Sequence, residues 1–321
     1  MTIVANTFTT YTAVGLRESL ENKIYQISPE ETPFISNIGR GSTKTVYNEW
    51  QNDALASPDT ANAQLEGDDV TAFPAVTPTL RLGNYCQISR KLAIVAGTNE
   101  EATKAGRTSE MAYQLAQRAA ELKRDVESIT CQNQAAVAGN TTTARKTAGF
   151  EAFLRTNVNR GASGVNATLS GSTQGFPNAA PTDGTQRAFT ETILKDVLQK
   201  IYTSGGKSKI CLLGVLQKQV ASGFAGIAQQ RRETGNSKAV IVGAADVYVS
   251  DFGDVTFVPS RFSRNRSALF IDPEYVQIDF FRSFRTKPLA TTGDAEKRML
   301  IVEYMLRVTH EGAHGVAADL T

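Results

Sequence analysis

Histidine occurs only at His310 and His314, cysteine only at Cys86, Cys131 and Cys211, and tryptophan only at Trp50, in a chain of 321 residues. With two adjacent histidines there is no serine elbow served by a distant imidazole. Three widely separated cysteines, an odd number, do not make a disulfide framework or a metal site; they read as reduced packing residues of a protein made in the cytosol. No apolar run approaches the roughly 20 residues that a bilayer-spanning helix needs. The first residues, MTIVANTFTTYTAVG, lack the basic start and apolar core of a signal peptide. A one-sided charge is also missing: 34 Lys and Arg against 32 Asp and Glu leave +2. That is too little for a protein whose business is gripping nucleic acid. No phosphate-cradling glycine loop is present, since Gly205-Gly206 reads as a helix stop. The chain therefore points to no enzyme, and no cofactor, metal or membrane is expected.

What is there is ordinary for a soluble folded protein, 41% hydrophobic and 21% charged. The length suits one large or two ordinary domains. The longest helical pattern runs from Thr98 to Val137. Thr98 with Glu101 reads as a capping box, and Gly106 marks a bend with a restart at Thr108 or Ser109. Met111, Leu115, Ala119, Leu122, Val126, Ile129 and Ala136 recur at steps suited to one helical stripe. From Thr108 to Val137 such a helix would be roughly 45 Å long. The stripe also fits heptads, so a dimeric coiled coil is the alternative. Only about three heptads fit and two core positions are alanine, so a helix lying across a sheet is the better reading.

In chain order, a Thr-rich arm at residues 1–12 precedes a short amphipathic helix marked by Leu16, Leu20, Ile24 and Ile27. Residues 43–52 and 79–89 alternate like strands. Between them, residues 53–78 carry Asp53, Asp59, Glu66, Asp68 and Asp69 with three prolines and few large apolar residues. A connection this long without a core of its own is unusual inside a compact domain. It is either a disordered tip or, the better reading, a long hairpin loop held by another molecule, with Trp50 also needing a surface to pack on. Residues 159–185, dense in Gly, Ser, Thr, Asn and Pro, are loop-like and a candidate domain boundary. A second α/β unit follows, with a helix over 190–202, a strand over 209–214, a helix over 215–224, and short strands at 239–242, 247–250 and 255–259. Strands return over 270–281 and 299–309.

His310-Glu311-Gly312-Ala313-His314 has the letters of the zinc-protease motif, which needs both histidines on one helix face with the Glu as base. Its context is a strand end followed by Gly312 and Gly315, so zinc is not expected. Asp68-Asp69 reads as a solvated or interface charge patch. Arg261, Arg264, Arg266, Arg282, Arg285 and Lys287 lie among Asp272, Glu274 and Asp279, and are expected to form salt bridges within or between subunits.

The order of arm, hairpin loop, long helix, inserted α/β unit and return strands resembles the major capsid proteins of tailed phages, the Johnson fold. Thr32-Pro33-Phe34, Asn48-Glu49-Trp50 with Asp53 and Leu55, and Glu66-Gly67 are similar to the N-terminal signature of one branch, long known only as a domain of unknown function. Asn140, Arg145, Gly149 and Asn157 fit the segment after its long helix. Leu289, Gly293-Asp294, Lys297, Glu303 and Ala313-His314-Gly315 fit its C-terminal end.

The resemblance implies an α+β capsid fold. Its parts would be an N-terminal arm (1–42), an extended β-hairpin loop (43–92), a peripheral domain with a spine helix (93–184), an α/β axial domain (185–266), and return strands of the peripheral domain (267–321). It further implies self-assembly into hexamers and pentamers of an icosahedral head around double-stranded DNA, with DNA contacted weakly and non-specifically. Assembly would take place in the host bacterial cytoplasm. Portal, scaffolding or decoration proteins are the other partners. The chain starts directly with the arm, so scaffolding would be a separate protein or not be needed. Phe34, Trp50, Asp53, Glu66, Asp68, Asp69, Arg81 and Arg90 are the expected interface residues. The runner-up is the shell of a bacterial nanocompartment of the same fold.

Overall fold

Ser109 starts the long helix: its Oγ accepts the Ala112 N–H at 3.1 Å, and the helix runs Glu110–Cys131. In this computed structural model, which describes residues 31–67, 69, 73, 75–224 and 246–321, the elements follow in order. They are α1 (Pro33–Asn37), β1 (Gly39–Ser42), β2 (Tyr47–Asn52), β3 (Leu80–Tyr85), β4 (Gln87–Ala96), α2 (Gly97–Glu101) and α3 (Glu110–Cys131). Next come β5 (Val158–Asn159), β6 (Thr168–Gly171), β7 (Gln174–Ala179), α4 (Glu191–Thr203), β8 (Ile210–Leu213), α5 (Val215–Ser222), β9 (Val247–Ser250) and β10 (Gly253–Pro259). The chain closes with β11 (Ser267–Ile271), β12 (Val276–Pro288), β13 (Ala295–Val308) and β14 (Gly315–Ala318). The expected helix near Leu16–Ile27 and the strand at 239–242 lie outside the described residues.

Three sheets carry the described strands, in orders β1-β12-β13-β4, β5-β14-β11-β8-β10-β9 and β2-β3-β7-β6. The helix α3 packs on β4 and β13. Leu122 and Val126, at the centre of its stripe, join Cys86, Phe150, Val302, Tyr304 and Leu306 in one buried cluster. A dimeric coiled coil through this seam is therefore ruled out, because the chain's own sheet occupies it. All three cysteines are buried free thiols. A second cluster lies between α4 (Leu194, Val197, Leu198, Ile201) and the six-stranded sheet (Cys211, Leu213, Phe257, Phe270). Each fully buried side chain of this kind contributes about 1.5–3 kcal/mol.

Several expectations need correction. The long helix is shorter than 98–137. α2 ends at Glu101, Gly106 sits at φ +75°, and Thr98 provides no side-chain cap. Instead the Glu100 carboxylate accepts the Glu110 and Met111 N–H groups at 3.0 and 3.1 Å, which satisfies amides the first helical turn leaves open. At the other end the chain turns away at Gln132, and Ala136 and Val137 bond to Pro177 and Lys146. Gly149 crosses so close to the helix end that a Cβ there would lie 1.9 Å from the Gln132 carbonyl oxygen.

Residues 159–185 are not a structureless boundary. They hold the β6–β7 pair, and β7 runs beside β3, where Phe176 packs edge-on against Tyr85 at 5.1 Å. The return segment 267–321 is also split between sheets. β12 and β13 build the four-stranded sheet, whereas β11 and β14 hydrogen-bond into the six-stranded sheet beside β8 and β5. The chain order alone suggests one destination for this segment; Ser267–Ile271 and Gly315–Ala318 are apolar on both faces and fit only a doubly covered sheet.

Candidate assembly surfaces

β2 and β3 form the hairpin expected from the alternation, paired from Tyr47↔Tyr85 to Asn52↔Leu80. The 53–79 connection at its tip holds no regular element among its described residues. Asp53, Glu66 and Asp69 are exposed there, and Asp68 lies outside the described residues. Leu55, Leu65, Phe73 and Val76 are also exposed, from 81% to 100%. A loop that points four large apolar groups at water has found no core among the described residues of its own chain. Arg81 is exposed on β3, where its guanidinium pairs with Glu49 across the hairpin. Arg90 is exposed on β4.

Two expected interface residues are not at a surface. Phe34 is 1% exposed and meets Phe150 edge-on at 5.6 Å. Trp50 is 6% exposed, packs beside Phe153 at 6.1 Å, and lies under the Arg307 guanidinium. The surface that Trp50 needs is thus supplied by its own subunit, because β13 and the Phe150–Phe153 turn run beneath the hairpin base.

A second feature was not legible beforehand. The face of β4 turned away from α3 carries Ile88, Leu92 and Ile94, 45%, 53% and 63% exposed. Strand register places Arg90 beside Ile301 and Arg285, and Leu92 beside Met299 and Lys287. Ile94 pairs with Lys297. The result is an apolar stripe on a sheet face with basic residues alternating through it.

Inside the molecule, buried acids are matched to arginines from far along the chain. Glu151 accepts from Arg160 and Arg264 at 3.1 and 3.0 Å and from Ser267 at 3.1 Å. Glu303 is held between Arg145 and Arg282, each at 2.6 Å. Asp319 accepts the Gly161 and Gly184 N–H groups and Arg266. Part of the expected basic region is therefore internal cement; a buried acid without its cation would be costly.

His310 and His314 do not share a helix face, since a single 3-10 turn, Glu311–Ala313, separates them. His314 is fully buried. Its Nδ1 accepts the Asp272 N–H at 3.1 Å, and Nε2 lies 3.3 Å from the Tyr275 carbonyl. Both ring nitrogens face backbone, which assigns the Nε2–H tautomer and leaves no lone pair for a metal. Burial pushes its pKa down to about 4. Unfolded histidine titrates near 6.5, so the unfolded chain takes up the proton first. Stability is then lost as pH falls from about 6.5 toward 4, on the order of 2 kcal/mol from this residue. Urea unfolding of the wild type and of His314→Gln at pH 7 and pH 5 isolates it: the stability difference between the two proteins should shift against the wild type by about that amount at pH 5, every other group titrating alike in both. An unchanged slope in the variant would assign the loss to other groups.

Among the described residues no cluster of histidine, cysteine or carboxylate groups could hold a metal, and no helix is long and apolar enough to cross a membrane. What the molecule offers is surface: an acidic, apolar loop, a basic, apolar sheet face, and a cemented interior. Several solved structures share this fold. The capsid asymmetric unit of cyanophage A-1(L) aligns over 98% of each chain with a TM-score of 0.65 and 16% identity. The major capsid and decoration proteins of Phage G align over 100% of each chain at 0.53 and 11%. The SrpI encapsulin complex of Synechococcus elongatus aligns over 96% of each at 0.55 and 10%. At such identities these likenesses define the class, the α+β capsid fold.

The chain belongs to the SU10 major capsid protein family, whose model matches residues 3–321. The major capsid protein of Escherichia phage Phieco32 is 28% identical over 96% of each chain. This is a structural protein of the virion capsid of a tailed phage, not an enzyme.

Proposed function

We propose that copies of this chain form the hexamers and pentamers of an icosahedral head around double-stranded DNA, joined by the hairpin of residues 43–92 lying over a neighbouring copy. The observation that carries this reading is the match between two surfaces. The loop exposes Leu55, Leu65, Phe73 and Val76 among acids, and the outer sheet face exposes Ile88, Leu92 and Ile94 among Arg90, Arg285, Lys287 and Lys297. Apolar contact supplies adhesion, while opposite charge fixes register and speeds encounter. The long helix and its sheet are the wall of the subunit. The unit built on α4, β8, α5, β9 and β10, completed by β5, β11 and β14, gathers at hexamer and pentamer centres. A chain of near-neutral charge contacts packaged DNA weakly. Portal, scaffolding and decoration proteins are the expected partners. A nanocompartment shell, the second reading, rests on fold alone, and the family match favours the phage head.

A charge swap tests the loop and its receiving face together. Arg90→Glu with Arg285→Glu changes two exposed side chains, so the subunit should fold and melt as the wild type does but fail to close shells. Adding Glu66→Lys and Asp69→Lys should restore part of the assembly. Normal shells from the first variant, seen by negative-stain microscopy, would remove this face from the proposed interface.

A further inference from the structure

Glu127 on α3 is fully buried, yet no ion pair reaches it among the described residues, unlike Glu151, Glu303 and Asp319. Its Oε1 accepts the Phe34 N–H at 2.7 Å and its Oε2 the Ile35 N–H at 2.9 Å. These are first-turn amides of α1. Pro33 has no N–H to satisfy and Thr32 makes no side-chain cap. The carboxylate, 93 positions away, therefore stands in for the missing cap. α1 leads directly into β1, the edge strand of the four-stranded sheet.

We propose that Glu127 is a proton-linked latch that sets how firmly α1 is held on the subunit. Among the described residues the electrostatic surroundings are sparse. The sequence of α1, Pro33–Asn37, contains no ionisable side chain. On the neighbouring 3-10 turn, Glu151 is committed to Arg160 and Arg264. On α3 itself, the Arg124 guanidinium lies over the Phe262 ring, and the Cys131 thiol is kept neutral by burial. Two N–H donors favour the ionised carboxylate, but desolvation outweighs them and pushes its pKa up to about 7.

If α1 lifts, the carboxyl group meets water and returns to the ordinary range near 4.3. The docked state then binds the proton more tightly than the lifted one. A raised folded pKa gives docking that is fully strengthened below the lower value and weakens as pH rises through the window to about 7. This slope opposes that of His314, so a global melt would blur the two. A local readout separates them.

The test is amide hydrogen exchange of the full chain, corrected for the intrinsic rate, at pH 5 and pH 8. Protection of the Phe34 and Ile35 amides should fall at least about tenfold toward pH 8, as a shift of more than one pKa unit requires. Amides within α3, such as Val126, serve as the internal reference and should not follow. Glu127→Gln, neutral throughout, should show no such pH dependence at Phe34 and Ile35. Equal protection at the two pH values, a fall shared by the α3 amides, or a fall that survives in Glu127→Gln would each overturn the proposal. Should the variant fail to fold, the wild-type contrast between α1 and α3 amides decides alone.

Discussion

Replacing residues 54–75 with a short Gly-Ser turn is expected to leave a folded subunit with a cooperative melt and to abolish closed shells. The first half follows from exposure. Leu55, Leu65 and Phe73 are 100%, 81% and 85% exposed, so among the described residues deletion removes almost no buried apolar area from the subunit. Shortening a loop of this length also lowers its closure entropy cost, by about 1–2 kcal/mol over two to three halvings. β2 and β3 keep their own register, and Trp50 keeps the surface beneath it.

The second half follows from multiplicity. A closed shell repeats each contact in every subunit, so loss of one modest interface is compounded across the assembly. Circular-dichroism melts and negative-stain micrographs of the same preparation measure the two halves. Shells of normal size would show that the loop is not an assembly device. An unfolded product would show that its own subunit depends on it.

That prediction was open to the sequence because absence is legible. A stretch with acids, prolines and few large apolar residues cannot build a core, wherever it lies. Periodicity likewise exposed α4, whose Leu194, Val197, Leu198 and Ile201 are all buried, and β13, whose centre is buried on both faces. The readings that failed are those where a distant partner decides. Trp50 looked unpartnered because Phe153 and Arg307 lie far along the chain. β7 looked like loop because Gly175, Pro177 and Asn178 hide a strand that pairing with β6 and β3 creates. Thr98 and Glu101 carry the letters of a capping box, but Ser109 and the Glu100 carboxylate hold the amides that matter. Glu127 reads as part of the polar face opposite the stripe, with Glu121 and Asp125, but the structure buries it, because the amides of Phe34 and Ile35 are bonded to it from far along the chain. The basic sheet face escaped for a related reason: Arg90, Arg285 and Lys287 come together only through strand register.

Leu122→Asp should be the most damaging single change in the long helix. Leu122 is fully buried between α3 and the four-stranded sheet, in the cluster that also holds Val126, Val302 and Tyr304. Truncation to alanine there would cost about 2–5 kcal/mol through lost contacts and a cavity. Aspartate adds an unpaired carboxylate in an apolar site, which costs several kcal/mol more or forces the group to stay protonated. The sum rivals the whole stability of an ordinary domain, about 5–15 kcal/mol, so the expected product is insoluble. Leu115 provides the contrast. It lies on the same stripe but is only partly buried, against the small cluster of Ala93, Val95 and Met111. Leu115→Asp can turn its charge toward water, so it should remain soluble with a lowered melting temperature. Soluble, well-folded subunits from Leu122→Asp would mean that the helix meets its sheet less tightly than the burial of this residue requires. Equal damage from both substitutions would mean that the whole stripe, and not its centre, bears the packing.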